Sequence, residues 1–310
     1  MTLTELRYIV TLSEERHFGR AAQKCHVSQP TLSVAVKKLE DELGLSLFER
    51  SKSNIVVTEL GVRLVAQART ILGQVNAFKD MAQQGKDELN SPLKIGAIYT
   101  IGPYLFPRLM PELAKTAADM PLFIEENYTA VLRQKLKSCE LDAIIVALPF
   151  EEPDVVTMPL YDEPFVVLFP KGHRLAEFES VDSDMLVNDN VLMLGPGHCF
   201  RDQVLSSCPE LLDLVSLDES KSKKLITEGS SLETIRHMVA SKLGISILPR
   251  SALMPGFYDE RLLEVRPFVA PIPYRSAALA WRVTFPRPKA IDVLAQAIKH
   301  SQSVLTDGSE

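Results

Sequence analysis

With 310 residues, 46% of them apolar and 24% charged, the chain is too long for one ordinary core and suits a globular protein of two or three domains. Its start, Met1-Thr2-Leu3-Thr4-Glu5, has no basic stretch leading into an apolar run, and charge-free segments such as Ile95 to Pro107 extend only about a dozen residues. Neither a secretory leader nor a membrane span is expected, so the cytoplasm is the expected compartment.

The net charge of −6 argues against a generally basic nucleic-acid coat, and four cysteines in a reducing compartment are no structural disulfide framework. Totals hide distribution, however. Arg16 to Leu39 holds five Lys or Arg and no acid, and Glu40-Asp41-Glu42 follows. A basic patch on an acidic protein can still dock a phosphate backbone.

Residues 3 to 16 read as a helix, with Leu3, Leu6, Ile9, Val10 and Leu12 at helical spacing. A second helix covers about Gly19 to Cys25, and His26-Val27 turns the chain. Ser28 is a suitable N-cap and Pro30 falls in the first turn, where its missing N–H costs nothing. The third helix runs through Leu32, Val36 and Leu39 to Leu43, and Gly44 ends it. This is a helix-turn-helix pattern. Leu47 to Thr58, with Ser51-Lys52-Ser53-Asn54 at its tip, reads as a β-hairpin wing.

On the third helix, which Ser28 and Pro30 begin, the side chains turned from the core are Gln29, Thr31, Ser33, Val34 and Lys37. Gln29 and Ser33 suit base edges, and Thr31 and Val34 suit a thymine methyl. Arg20, Lys37, Arg50 and Lys52 suit phosphates.

Glu59 to about Gln84 reads as one long helix. Leu64, Ala68, Ile71, Val75, Phe78 and Ala82 form a coiled-coil seam that wants a partner helix; the alternative is a helix lying on its own domain. Polar Gly85 to Pro92 reads as a hinge. Beyond it, strand candidates (Lys94–Ile98, Leu122–Glu125, Asp142–Ala147, Phe165–Phe169, Val191–Leu194, Ile245–Leu248, Ala277–Val283) alternate with helices near Tyr104–Ala117, Val131–Ser138, Ser231–Lys242 and Pro288–Ser301. That is an α/β pattern.

Cys199 and Cys208 stand nine positions apart, and Phe200 to Ser207 reads as a helix with Phe200, Val204 and Leu205 on its apolar stripe and Pro209 as its stop. Nine helical residues advance about 13 Å and turn about 900°, so the sulfurs leave opposite faces. A disulfide needs Cα atoms within about 7 Å. These thiols either never meet or meet only when the helix unravels. Cys199 lies at a helix N-terminus, where the macrodipole favours thiolate. Cys25 and Cys139 read as structural. Cys25-His26 with His17 lacks a fourth ligand at recognisable spacing, so no metal and no cofactor is expected.

The segments Phe18-Gly19-Arg20-Ala21-Ala22, Val27-Ser28-Gln29-Pro30-Thr31-Leu32-Ser33, Leu39-Glu40-Asp41-Glu42-Leu43-Gly44 and Leu47-Phe48-Glu49-Arg50 resemble the LysR-type transcriptional regulators, and the resemblance extends over the whole chain. It implies an α/β protein with an all-α winged helix-turn-helix head at 1–58, a linker and dimerisation helix with its hinge at 59–91, and a two-lobed regulatory domain like the periplasmic binding proteins at 92–310. Lobe I would take about 92–162 and 268–301, and lobe II about 163–267. It also implies dimers and tetramers on promoter double-stranded DNA, with RNA polymerase as a further partner.

Within that family, Gly197-His198-Cys199-Phe200-Arg201-Asp202-Gln203, Cys208 and Ser231-Leu232-Glu233-Thr234-Ile235-Arg236 are similar to the members that sense hydrogen peroxide. That similarity implies that Cys199 is oxidised to sulfenic acid and captured by Cys208. His198, Asp202, Thr100 and Thr129 would complete the peroxide site with Arg275, for which Arg282 is a rival. Thioredoxin or glutaredoxin would then reduce the bond. Two other readings compete: a regulator with a small organic anion in the lobe cleft, and a thiol peroxidase. An enzyme has no use for a winged helix with a dimerisation seam, so a non-enzyme is expected.

Overall fold

The computed structural model describes residues 1–50, 55–83, 88–212, 228–253 and 258–303. The chain divides into two compact units. The first is Met1–Asp87 with Gln134–Leu141, and the second is Glu88–Arg133 with the chain from Asp142 onward.

In the first unit, α1 (Leu3–Glu15) opens on a capping box in which the Thr2 side chain accepts the Glu5 N–H and the Glu5 carboxylate accepts the Thr2 N–H. α2 (Phe18–Lys24) is capped by a residue that composition does not suggest: Nδ1 of His17 accepts the Arg20 N–H at 3.3 Å. Gly19 lies close beside it: a Cβ there would stand 3.0 Å from the His17 ring, a tight contact that the capping ring would have to shift to relieve. α3 (Gln29–Leu43) starts from Ser28, carries Pro30 in its first turn and ends at Gly44 with φ +68°.

The wing pairs β1 (Phe48–Arg50) with β2 (Ile55–Val57), Phe48 opposite Val57. Its expected tip, including Lys52, lies outside the described residues, as does the side chain of Arg50.

The long helix α4 (Glu59–Gln83) departs from the expected seam. Val65 and Ala68 are buried in the helix-turn-helix core, with Leu64 and Ile71 packed against it. The N-terminal half of the seam therefore faces the chain's own domain. Phe78, further along, is 74% exposed, and the Ala82 side chain is outside the described residues.

The second unit is built on one mixed sheet. β3 (Leu93–Ile98), β4 (Leu122–Asn127) and β5 (Ala143–Ala147) are parallel neighbours in the order β4-β3-β5. β11 (Tyr274–Arg282) joins β5 to β6 (Val155–Pro170), both antiparallel. The first half of β6 pairs with β11. Its second half pairs from Phe165 with β9 (Ile245–Pro249) and from Val166 with β10 (Leu263–Pro267). Beyond β9 come β7 (Val191–Leu194) and the two-residue β8 (Glu228–Gly229).

The sequence suggests only Phe165–Phe169 for β6 and misses β10. One continuous strand thus connects the two halves of the sheet. Helices α5 (Gly102–Thr116), α6 (Thr129–Lys137), α7 (Cys199–Ser207), α8 (Leu232–Ala240) and α9 (Pro288–Ser303) complete the α/β pattern. Among the described residues, no helix is long and apolar enough to cross a membrane.

Candidate functional site

Three chain segments converge on Cys199. It is the first residue of α7, partly exposed, and follows Gly197, whose φ of +93° suits only glycine, and His198, the backbone N-cap. The end of β3 delivers Tyr99 and Thr100. The start of α6 delivers Tyr128 and Thr129. Together these residues line a pocket of about 10 Å³, large enough for a molecule of the size of water and far too small for an organic acid.

The hydroxyl of Thr129 is buried there without a hydrogen-bond partner. Thr100 is 2% exposed, and its Oγ1 accepts from Nη1 of Arg275 at 2.8 Å. His198 is 6% exposed, with its ring 4.8 Å from that of Tyr128. Burial pushes its imidazole below the usual pKa, opposed by a hydrogen bond to the Ser230 main chain. It is therefore neutral near pH 7.

Arg275 is 2% exposed, paired with Glu163 at 2.7 Å and stacked over the Phe200 ring at 5.3 Å. Its rival Arg282 stands at the other end of β11, near Asp142 at 3.9 Å and over Phe285. Arg275 is hydrogen-bonded to the pocket wall through the Thr100 hydroxyl and carbonyl.

Asp202 is not brought to the pocket. It is exposed in the first turn of α7 and outside the pocket lining. Residues three apart on a helix lie within about 60° of the same face, yet the Asp202 side chain is exposed and the pocket is closed by other residues. At that place its charge favours the helix N-terminus rather than touching a bound molecule.

Cys208 caps the other end of α7. It is 1% exposed, in a core with Phe200, Val204 and Leu211. Burial, with Glu210 and Asp182 adding to it, pushes its thiol up to about 11. Neither cysteine is disulfide-bonded.

Sequence reasoning missed Tyr99, Tyr128, Gly197 and Glu163 as parts of this arrangement. The tyrosines immediately precede Thr100 and Thr129 in the chain, and Gly197 lies in the cysteine segment itself. Glu163 gave no local signal, because its partners are distant in the chain.

On α3, Gln29, Pro30, Thr31 and Lys37 are exposed and Val34 is 68% exposed, while Ser33 is partly covered. The Ser28 hydroxyl is engaged with the Thr31 N–H and hydroxyl, at 3.3 and 2.7 Å. Arg20 is exposed and bonds the Glu15 carbonyl at 2.7 Å.

Two family models match. Residues 3–62 match the bacterial regulatory helix-turn-helix protein of the lysR family, and residues 86–303 match the LysR substrate binding domain. The chain belongs to the LysR family of transcriptional regulators. Among LysR-family relatives, the DNA-binding transcriptional dual regulator OxyR of Escherichia coli K12 is 40% identical over 96% of this chain and 95% of its own length. The hydrogen peroxide-inducible genes activator of Haemophilus influenzae is 35% identical, covering 99% of both chains.

Among solved structures, a full-length OxyR from Pseudomonas aeruginosa with a cysteine-to-aspartate substitution is 57% identical, with a TM-score of 0.76, over 96% of this chain and 95% of that one. A peroxide-bound cysteine-to-serine variant of OxyR from Corynebacterium glutamicum is 30% identical, with a TM-score of 0.64, over 98% and 93%.

Proposed function

We infer that this chain is a hydrogen-peroxide-sensing LysR-type transcription factor that converts a thiol oxidation into a change of promoter binding. The carrying observation is the pairing of two features on one helix. Cys199 stands at its N-terminus facing a pocket of small-molecule size, and Cys208 is buried at its C-terminus. The names of the relatives, activators of peroxide-inducible genes, support the same reading.

The Cys199 thiolate attacks one peroxide oxygen and becomes sulfenic acid, while the other oxygen leaves as hydroxide and is protonated to water. Thr100, Thr129 and His198 surround the reacting atoms, Arg275 holds Thr100, and Asp202 acts only through the helix end. Cys208 then attacks the sulfenic sulfur, expelling water and closing the disulfide. With α7 intact, the sulfurs stand about 13 Å apart along the helix axis, so closure requires α7 to unravel.

The rearrangement shifts the regulatory domain and the contacts between copies in a dimer or tetramer. Promoter double-stranded DNA is then held differently by Gln29, Thr31, Ser33, Val34 and Lys37 in the major groove, and by Arg20, Arg50 and Lys52 on phosphates. Antioxidant genes are activated through RNA polymerase. Thioredoxin or glutaredoxin restores the thiols in the cytoplasm. One oxidation per signal makes the chain a sensor rather than a turnover enzyme.

The competing reading, an organic anion in the lobe cleft, is opposed by chemistry. Among the described residues, the neighbouring cleft of about 350 Å³ is lined by Glu126 and Glu233 and by no Lys, Arg or His. Mass spectrometry of thiols before and after about one equivalent of peroxide tests the proposal. A Cys199–Cys208 linkage is expected, together with loss of the promoter response in Cys199→Ser. A response that survives Cys199→Ser overturns it.

A further inference from the structure

The two hydroxyls beside Cys199 are held differently. Thr129 Oγ1 has no partner and can either donate or accept. Thr100 Oγ1 accepts from Arg275 Nη1 at 2.8 Å, and the Thr100 carbonyl accepts from Arg275 Nη2 at 2.7 Å. A hydroxyl has one hydrogen to give. With the guanidinium occupying a lone pair of Thr100 Oγ1, and no acceptor bonded to it among the described residues, that hydrogen is left to the pocket.

Arg275 is itself fixed from behind. Its Nε donates to Glu163 Oε2 at 2.7 Å, and Glu163 Oε1 accepts the Ser251 N–H at 2.9 Å. Glu163, Arg275 and Thr100 are all buried, and Glu163 does not line the pocket.

The geometry points to Glu163 as a positioning residue of the peroxide reaction: by fixing Arg275 it commits the Thr100 hydroxyl to donate into the pocket. This rests on the function proposed above and adds a direction to it. As sulfur bonds the near peroxide oxygen, the O–O bond breaks and its electron pair goes to the far oxygen. Sulfur is oxidised, and the far oxygen leaves as hydroxide that solvent protonates. The Thr100 O–H meets that growing negative charge with a fixed hydrogen bond, needing no reorientation at the moment of reaction. Without the Glu163 carboxylate, Arg275 loses its anchor and Thr100 can turn its lone pairs inward, which opposes the charge.

The test uses the full-length chain and follows Cys199 by mass spectrometry with two reagents, hydrogen peroxide and iodoacetamide, which has no O–O bond to break. In Glu163→Gln, peroxide oxidation is expected to slow at least about tenfold, while alkylation changes less than about twofold. Thr100→Val is expected to show the same selective loss, and Glu163→Gln added to Thr100→Val to slow it no further.

Unchanged peroxide reactivity in Glu163→Gln, equal slowing with both reagents, or multiplying losses in the double variant each overturn the inference. If Glu163→Gln does not fold, Arg275→Lys replaces it. A lysine leaves Glu163 balanced but cannot span it and both Thr100 oxygens, and the same three outcomes decide. Failure of the unaltered chain to react with peroxide at all refutes instead the function on which the inference rests.

Discussion

Cys208 is a thiol held out of reach, buried at the end of α7 with its pKa pushed up to about 11 from an ordinary 9.0. Near pH 7.5, a shift of about two units leaves roughly a hundredth of the thiolate of a free cysteine. Iodoacetamide should therefore label Cys208 in the reduced, folded protein about a hundredfold more slowly than it labels free cysteine. Mass spectrometry of the two peptides checks this, and comparable labelling would contradict it.

The sign of the linkage is also fixed. A thiol pKa raised by folding contributes stability that is fully present below about pH 9 and is lost as pH climbs through about 11. At this scale the spacing of the cysteines points to Cys199 and Cys208, while His198 and the two threonines follow only from the family resemblance; the fold brings Thr100, Thr129, His198 and Cys199 around one pocket. The exposure of Asp202 and the anchoring of Arg275 by Glu163 were not legible, since each depends on where a side chain points after folding.

At the scale of elements, α7 is held by a few side chains. Phe200 is buried edge-on to Phe165 at 5.1 Å, Arg201 Nη1 reaches the Leu194 carbonyl and Glu228 at 2.9 and 2.7 Å, and Gln203 Nε2 reaches the Leu148 carbonyl at 3.2 Å. Removing the largest of these anchors should favour the unravelled form. Phe200→Ala is expected to cost about 3 kcal/mol of stability through lost burial and to speed disulfide closure from the sulfenic acid. Urea unfolding and quenched-flow mass spectrometry read the two effects. Slower closure in a destabilised variant would argue that α7 need not open.

The helices were legible because their apolar spacing, N-caps and stop residues agree, as at Ser28, Pro30 and Gly44. β6 was legible only in its buried second half. Pro159, Pro164 and the polar Thr157, Asp162 and Glu163 break any alternation in the first half, where pairing with β11 rather than side-chain pattern makes the strand. On α4, for a related reason, heptad spacing gives a stripe but not its partner, and the helix-turn-helix core takes the first half.

For the whole molecule, an acidic chain with net charge −6 must bind DNA through a local surface. Lys37 is exposed on α3 and suits a phosphate. Lys37→Ala is expected to weaken binding to all sequences alike and to lower the slope of log K against log salt by about one. Filter binding or anisotropy over a salt series measures that slope, and a loss confined to one operator would instead assign Lys37 to base reading.

The proposed signal transfer requires that the two ends of α7 cannot be joined while it is helical. Hydrogen exchange of the segment 199–208, in reduced protein and after about one equivalent of peroxide, tests this most directly. The Cys208 amide, bonded to the Val204 carbonyl at 2.9 Å in the reduced form, should lose its protection as the disulfide appears. A disulfide formed with amide protection across α7 unchanged would contradict the account.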